Sequence, residues 1–211
     1  MGILEPVLNP LERLPGRVYY YIPHQPVFKS TSSTTKMRIV FDASSGHPSL
    51  NACLFRGRVY AGQEDKQIAI ILMRTRLVDN LMGMDLEKAF LQVGLHEEDR
   101  DCCRILWPRD PFVDNRPQVY RFTRVTFGLV TSPFLLGATV EHHLKNSECP
   151  WAEKLIRGSY VDNYIVPIET PDQIPQAVKE IRECFFTAGF NCSSFSVIAG
   201  PPFFCIALKF R

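Results

Sequence analysis

The chain has 211 residues, 45% of them apolar, so it can bury the core of one large domain or of one and a half. It has no secretory signal and no apolar run long enough to span a bilayer, which excludes secreted and membrane-spanning classes. Its seven cysteines are an odd number and fit no zinc-ligand spacing, so we expect free thiols in an intracellular, cytoplasmic protein.

Charge is unevenly distributed along the chain. The formal net charge is only +2, but residues 1–60 hold seven Lys or Arg side chains against three acids, an excess of +4 that leaves −2 for the remainder. A basic first segment and an acidic remainder suit a polyanionic ligand bridged to carboxylates by metal ions, although a solvated basic loop would give the same count.

The first 35 residues predict an irregular start followed by one strand and one loop. Residues 1–16 contain three prolines and are expected to form a lead-in segment without regular structure. Arg17–Ile22 is rich in aromatic side chains and predicts a strand. The unbroken Ser/Thr run at 30–35 is typical of a loop.

A second strand, Lys36–Asp42, alternates charged and apolar residues and would complete a hairpin with the first. This hairpin would carry Lys29, Lys36 and Arg38. Its cations can be offered to a phosphate-bearing ligand, or the segment is an ordinary exposed hairpin.

The middle of the chain predicts a helix, then a strand that ends in an acid. Apolar residues recur near helical spacing from Ala61 to Val78, and Leu81–Asp85 follows as a short apolar strand. Glu97–Asp101 predicts a polar helical turn. Arg104–Trp107 and Gln118–Val125 predict strands joined by a Pro-rich loop.

The last third predicts a hairpin between two helices. A helix is expected from Phe134 to Leu144, and an amphipathic one from Gln173 to Ala188, closed by a glycine. Between them, strands at 156–161 and 164–168 flank an Asp162-Asn163 turn. The order strand, helix, hairpin, helix, strand predicts an α+β fold, a split β-α-β with an antiparallel sheet and helices on one face.

In that fold the strand that ends at Asp85 and the hairpin tip at Asp162 can lie side by side. Two such carboxylates can share Mg²⁺, which keeps the rest of its shell for water and substrate phosphates. Paired divalent ions support in-line phosphoryl transfer. An isolated Asp-Asn is more often a simple turn, so the inference depends on the partner acid.

Two further segments could serve a nucleotide. Phe90, five residues after Asp85, could stack under a deoxyribose and exclude a 2′-hydroxyl, or it could simply pack in the core. Phe127 and Gly128 precede a helix start at Ser132-Pro133, where backbone amides suit a base or an incoming nucleotide.

Taken together, these segments resemble the reverse transcriptase domain of retrotransposon polyproteins, most closely the BEL/Pao type. The resemblance extends from about Tyr19 to Phe195 and rests on the order and spacing of several motifs. The motifs are Tyr19–Lys29, Arg38–Ser44, Ser49–Leu54, Met84–Val93, Glu98–Asp101, Tyr120–Leu129, Ser132–Leu136, Tyr160–Asp162 and Gly189–Asn191.

The resemblance implies a polymerase fold of fingers and palm, without a thumb. The expected division is a lead-in at 1–16, a fingers-like region at 17–80 that continues into about 98–125, a palm at 81–196, and a divergent tail at 197–211. The implied activity is RNA-directed DNA synthesis from dNTPs on a template-primer of RNA or DNA. Protease, RNase H and integrase would belong to the same polyprotein, within a cytoplasmic retroelement particle and with no membrane partner.

The resemblance also assigns roles to single residues. Asp85 and Asp162 match catalytic magnesium ligands, with manganese as an alternative ion. Phe90 matches the aromatic gate against ribonucleotides. The remaining dNTP-binding positions are Lys29, Arg38, Phe127 and Gly128.

Two departures from the family pattern stand out. The second acid usual at the hairpin is Asn163, which can coordinate weakly through its carbonyl oxygen but brings no charge. The sequence also leaves the pattern from Ser193 to Arg211. These departures leave an alternative open, a catalytically silent palm that binds nucleic acid or protein partners.

Overall fold

The computed structural model describes residues 2–28, 37–57, 64–110, 112, 114–199 and 206–210. Within these residues the strands are β1 (Leu4–Pro6), β2 (His24–Phe28), β3 (Met37–Phe41), β4 (Asn80–Leu86), β5 (Arg104–Asp110), β6 (Asp114–Phe122), β7 (Ser159–Tyr160), β8 (Asn163–Ile168), β9 (Cys192–Ala199) and β10 (Ile206–Phe210). The α-helices are α1 (Leu50–Cys53), α2 (Glu64–Thr75), α3 (Ser132–Lys145), α4 (Ala152–Arg157) and α5 (Ile174–Thr187). Short 3-10 segments lie at Ala89–Gln92, Glu97–Cys103 and Pro171–Gln173.

The chain divides into two compact units. Unit 1 comprises Met1–Arg56 and Val93–Ser132, and unit 2 comprises Gly57–Gln92 and Pro133–Arg211. The borders of these units differ from the division at residues 80 and 81 predicted from sequence. The assignment of fingers-like and palm regions stays a prediction.

Unit 1 contains a three-stranded antiparallel sheet in the order β1-β6-β5 and a separate β2-β3 hairpin. Its core is built from buried apolar side chains of several segments, including Ile22, Leu50, Ile105, Phe122 and Leu129. The antiparallel pairing expected of the predicted hairpin is present between β2 and β3, but its first strand is His24–Phe28 rather than Arg17–Ile22. Lys29, Lys36 and the Ser/Thr loop lie outside the described residues.

Three local predictions for unit 1 were wrong. Leu4–Pro6 was expected to be irregular, but it pairs with β6 as an edge strand. A proline is tolerated at the edge of a sheet because its missing N–H group would face solvent rather than a neighbouring strand. Arg17–Ile22 does not form a strand, and its only β-bridge joins Tyr21 to Arg104. The segment beside it, Glu97–Cys103, is a 3-10 helix and so cannot pair with it as a strand. The Pro-rich loop is mostly strand, since Pro108 pairs with Pro117 beside a register shift at the sheet edge.

Unit 2 contains a five-stranded, fully antiparallel sheet in the order β10-β9-β4-β8-β7. Between β4 and β9 the chain forms α3, α4, the β7-β8 hairpin and α5, which is the predicted split β-α-β order. The α+β class with an antiparallel sheet is therefore confirmed. The predicted tail at 197–211 contributes residues 206–210 to this sheet as β10.

Alternation along β4 assigns its two faces. Met82, Met84 and Leu86 are buried, whereas Leu81, Gly83 and Asp85 are only partly buried. On the same face of the sheet, Tyr164 of β8, the partner of Met84, packs against Phe185 of α5, with ring centroids 5.4 Å apart. On the opposite face, α2 borders the sheet beside Leu81.

The amphipathic pattern of the last predicted helix is confirmed by α5. Its buried side chains recur at helical spacing, and the helix ends where Gly189 adopts a φ of +78°. The Gly189 amide donates to the Phe186 carbonyl at 2.9 Å and the Phe190 amide to the Phe185 carbonyl at 3.0 Å, which satisfies the last carbonyls of the helix. No helix among the described residues has the length and apolar character needed to cross a membrane.

The buried carboxylate of Asp101 organises the polar part of unit 1. Its Oδ1 accepts from Arg104 Nη2 at 2.8 Å, and its Oδ2 lies 3.2 Å from Arg121 and 3.3 Å from Arg17. Burial alone would raise the pKa of Asp101, but the hydrogen bond and charge of Arg104, the charge of Arg121 and the hydrogen bond from Arg17 lower it below its usual value.

Asp101→Asn should lower the free energy of unfolding by about 3–5 kcal/mol, because Arg104 would stay buried without its counter-charge. Because the pKa of Asp101 is lower in the folded state than in the unfolded state, the charged Asp101 stabilises the fold fully above the unfolded-state pKa of about 3.9. This stabilisation is lost as the pH falls through the lower, folded-state pKa. Urea unfolding followed by Trp107 fluorescence measures both effects.

The matched control is Glu97→Gln, which removes an exposed partner of Arg121 in the same network and should cost less than about 1 kcal/mol. An Asp101→Asn loss no larger than that of the control would show that the buried carboxylate does not hold unit 1 together.

Candidate active site

The hairpin that carries Asp162 turns one residue earlier than predicted. Tyr160 pairs with Asn163, so the two turn residues are Val161 and Asp162. Val161 has a φ of +55°, the left-handed region required at the first central position of a type II′ hairpin turn and costly for a β-branched residue. The turn therefore holds Asp162 at the tip of the hairpin, half-buried.

The strand before this turn is also shorter than predicted. Ile156 belongs to α4, and β7 begins only at Ser159, after the helix ends at Gly158. Gly158 donates its amide to the Lys154 carbonyl at 3.0 Å and accepts from the Ile165 amide at 2.9 Å. A Cβ at Gly158 would lie 1.9 Å from the Ile165 carbonyl oxygen, so only glycine fits between the helix and the hairpin.

Asp85 lies beside the hairpin tip. In the β4-β8 ladder Asp85 is directly opposite Asn163, and the next residue, Leu86, donates its amide to the Asp162 carbonyl at 3.0 Å. Side chains directly opposite in an antiparallel pair share one face, with Cβ atoms about 5 Å apart. The ladder thus brings the Asp85 carboxylate and the residues of the hairpin tip to one end of the sheet.

Ser193 fixes the orientation of Asp85. The Ser193 hydroxyl lies 2.8 Å from Asp85 Oδ2, to which it donates, and 3.2 Å from the Asp85 carbonyl oxygen. Sequence reasoning missed this residue, because a serine after the Gly189–Asn191 motif has no distinctive pattern. Only the pairing of β9 with β4 places it beside the carboxylate.

The side chain of Asn163 forms a hydrogen bond with that of Asp162. Its Nδ2 donates to Asp162 Oδ1 at 2.8 Å, and its side chain is exposed. An aspartate at this position would place a second negative charge beside Asp162 and would not offer this hydrogen bond. The amide of Asn163 therefore stabilises the Asp162 carboxylate by a hydrogen bond that an aspartate at position 163 would not provide.

A concavity of about 430 Å³ lies on the partly buried face of the sheet beside Asp85. Small and hydroxyl-bearing residues form its floor at Gly83, Ser194 and Ser196, and Asn163 borders it. A Cβ at Gly83 would lie 2.8 Å from Ser196 Oγ, so glycine at this position avoids a close contact with Ser196 inside the recess. The rest of the lining is mainly apolar, so the carboxylate lies beside a largely apolar recess with a few polar groups.

Residues 17–194 match the family model of reverse transcriptases, described as RNA-dependent DNA polymerases. This match covers most of the chain. The chain belongs to the reverse transcriptase family. A search of curated proteins returned no match.

Solved structures support the same fold. A foamy viral protease–reverse transcriptase in complex with double-stranded DNA is 19% identical, with a TM-score of 0.59 over 91% of this chain and 28% of its own. A prototype foamy virus protease–reverse transcriptase is 20% identical, with a TM-score of 0.60 over 90% of this chain and 21% of its own. The chain thus spans about a quarter of these proteins, and at such identity the likeness concerns the fold alone.

The predicted nucleotide-binding positions of this reverse transcriptase chain do not all lie in the unit that carries the two aspartates. Phe90 belongs to unit 2 and is half-buried in the 3-10 turn that follows β4. Arg38, Phe127 and Gly128 belong to unit 1, and Lys29 lies outside the described residues. Their roles stay predictions.

Within unit 1, Gly128 is locally well defined. It has a φ of +90°, and a Cβ there would lie 2.2 Å from the Phe41 carbonyl oxygen. Its own carbonyl accepts from Asn51 Nδ2 at 2.9 Å, and Asn51 Oδ1 accepts from the Val130 amide at 2.9 Å. The glycine is thus required by close backbone packing, whether or not it meets a nucleotide.

This end of the sheet carries oxygen-bearing side chains of the type that divalent metal ions prefer. Asp85 and Asp162 supply carboxylate oxygens, and Mg²⁺ in phosphoryl-transfer sites is typically bound through one or two carboxylates. In the described part of the chain, no group of three or more His, Cys, Asp or Glu side chains converges on a metal position. The oxygen groups at this end of the sheet are the two carboxylates and the amide oxygen of Asn163, and their role as metal ligands stays a prediction.

Gly158→Ala should destabilise unit 2 by about 3 kcal/mol or more, because the added methyl group meets backbone rather than a movable side chain. Urea unfolding followed by Trp151 fluorescence measures the effect. Gly94→Ala is the control, since its added Cβ would come no closer than 3.8 Å to the Arg124 side chain. Equal stability of the two variants would contradict the close packing of α4 on the hairpin.

Proposed function

We propose that this chain is the catalytic reverse transcriptase domain of a retrotransposon of the BEL/Pao type. It would transfer nucleotides from dNTPs onto the 3′ end of a primer paired to an RNA or DNA template. The observation that carries the proposal is the pairing of Asp85 with Asn163, which brings a second carboxylate to the hairpin tip at Asp162.

Asp85 and Asp162 would hold Mg²⁺, or Mn²⁺ in its place, through their carboxylate oxygens. When bound, such ions activate the attacking hydroxyl and stabilise charge on the triphosphate. Ser193 keeps Asp85 Oδ2 in one orientation by its hydrogen bond, which leaves Oδ1 to face a ligand. Asn163 can contribute only its amide oxygen, since its Nδ2 donates to Asp162.

Family resemblance supplies the remaining roles. Phe90 would exclude ribonucleotides by occupying the space of a 2′-hydroxyl. Arg38 and Lys29 would bind phosphate oxygens as cations, and Phe127 with Gly128 would contact the nucleotide. In its natural context the domain would belong to a polyprotein with protease, RNase H and integrase, in a cytoplasmic particle.

A second function has a specific observation in its favour. The hydrogen bond from Asn163 Nδ2 occupies one oxygen of Asp162, and the asparagine brings no charge to a metal. A domain with this hairpin could bind a template-primer without extending it. The two functions differ in turnover, not in nucleic-acid binding.

Primer extension distinguishes them. With Mg²⁺ or Mn²⁺ and an RNA or DNA template, we expect the chain to add dNTPs, and Asp85→Ala should abolish addition because it removes a metal ligand. Asp172→Ala, which changes an exposed aspartate in the same unit, serves as the control and should keep full activity. Extension that survives in Asp85→Ala would refute the site, and template-primer binding without any extension would favour the silent domain.

Asn163→Asp should raise primer extension and lower the Mg²⁺ concentration needed for half-maximal rate. One additional negative charge about 4 Å from a divalent cation gains about 2 kcal/mol in bulk water, roughly thirtyfold in affinity. Magnesium titration of the extension rate measures the change. Asn163→Leu, which removes the polar group, should move in the opposite direction, and equal rates for all three proteins would mean that position 163 does not reach the metal.

A further inference from the structure

The segment that follows Asp85 is a tight turn. The register of β4 against β9 shifts between Asp85 and Leu86, and the strand ends at Leu86. Lys88 has a φ of +50°, a conformation that a residue other than glycine keeps only where its surroundings impose it. The Leu91 amide donates to the Lys88 carbonyl at 2.9 Å, and this hydrogen bond closes the turn.

Asn191 connects this turn to the segment between α5 and β9. Its carbonyl oxygen accepts from the Glu87 amide at 2.8 Å, and its Nδ2 donates to Glu87 Oε2, also at 2.8 Å. We call this pair of hydrogen bonds the Glu87–Asn191 contact. Because one bond involves the backbone of Glu87 and the other its side chain, the contact fixes both the position and the orientation of the start of the turn.

The segment around Asn191 is itself firmly placed. Gly189 ends α5, and Phe190 is only 3% exposed, with its ring edge-on to that of Phe185 at a centroid distance of 6.3 Å. On the other side of Asn191, Cys192 is buried and pairs with Leu86. Asn191 is thus held between two buried neighbours and offers the turn a rigid partner.

The Glu87–Asn191 contact is not part of the apolar core. Asn191 is exposed, and the Glu87 side chain is 43% exposed. Lys88 Nζ lies 3.6 Å from the other carboxylate oxygen of Glu87. Hydrogen bonds and ion pairs so open to water contribute little to global stability. The effect of the contact is therefore local, on the geometry of the turn.

The same turn carries Phe90, three residues after Glu87 and half-buried. Asp85 and Phe90 are consequently held from one segment, since Ser193 donates to the Asp85 carboxylate and Asn191 to Glu87. Glu87 lies between the carboxylate and the aromatic ring in the chain. The path of the turn at Glu87 therefore sets where the ring lies relative to Asp85.

We propose that Asn191 and Glu87 are positioning residues for the selection of deoxyribonucleotides. Their contact holds the turn so that Phe90 keeps a fixed place beside Asp85. This inference rests on the proposed function, in which Phe90 excludes a 2′-hydroxyl. It adds that the exclusion depends on the segment after α5 and not on the aromatic ring alone.

Hydrogen–deuterium exchange of the full chain tests the contact without catalysis. In Asn191→Ala, peptides that cover residues 84–93 should exchange roughly fivefold faster, as the loss of one ordinary hydrogen bond would give, because the turn opens more often. Asn146→Ala is the matched control, since it removes an exposed asparagine of the same unit whose Nδ2 donates to the His142 carbonyl at 2.7 Å. Unchanged exchange in Asn191→Ala would overturn the proposal whether or not the chain polymerises.

Primer extension tests what the contact positions. In Asn191→Ala the ratio of kcat/KM for dNTPs to that for rNTPs should fall roughly fivefold, mainly through a lower KM for rNTPs, because a displaced ring admits the 2′-hydroxyl. The kcat for dNTPs should stay close to that of the wild type, since Asp85 and Asp162 are unchanged. Extension with an unchanged ratio would refute the inference and leave the proposed function intact. If the wild-type chain extends no primer, the proposed function fails and sugar selection fails with it, whatever the exchange data show.

Variants of Glu87 separate positioning from a general loss of structure. Glu87→Gln keeps an oxygen that can accept from Asn191 Nδ2 and should retain the wild-type ratio, whereas Glu87→Ala should match Asn191→Ala. The double variant with alanine at both positions should be no worse than either single variant, because both residues act through one contact. Additive losses would contradict a shared contact. If Asn191→Ala does not fold, Glu87→Ala tests the same hydrogen bond from its other end.

Discussion

The pairing of β4 with β8 is the constraint on which the rest of unit 2 depends. Because strand side chains alternate, a shift of one residue would turn Asp85 towards the helices and Met84 towards the recess. The buried Met82, Met84 and Leu86 oppose such a shift, since each loses its apolar packing. The apolar face of the strand thus determines where the carboxylate lies.

Polar chemistry is therefore found at the edges of an apolar framework. The sheet end gathers Asp85, Asp162 and Ser193, while the helical layer gathers His143, Ser147 and Cys184. At the sheet end Asn163 Nδ2 donates to Asp162 Oδ1 at 2.8 Å, and in the helical layer the Cys184 thiol lies 3.7 Å from Ser147 Oγ. Asn163 accordingly has a local physical role, because its amide donates a hydrogen bond to the Asp162 carboxylate at a turn where Val161 has a φ of +55°.

Much of the fold could be predicted from the sequence. The β4 strand, α3, α5 and the glycine after α5 were predicted because apolar period and capping residues are local signals. The errors occurred where pairing overrides local preference. Leu4–Pro6 became a strand because β6 offers an edge, Pro108 and Pro117 were accommodated in a ladder, and the hairpin turned at Val161 although valine disfavours that φ.

The sequence by itself determined the reverse transcriptase family and the α+β class and predicted the two acids, because motif order and apolar periodicity are local properties of the chain. Only the tertiary structure decided which residues meet those acids. The contact of Ser193 with Asp85 spans 108 residues, and that of His143 with Cys184 spans 41. Such contacts depend on strand register and helix docking, which arise from the burial of apolar side chains far from the polar atoms involved.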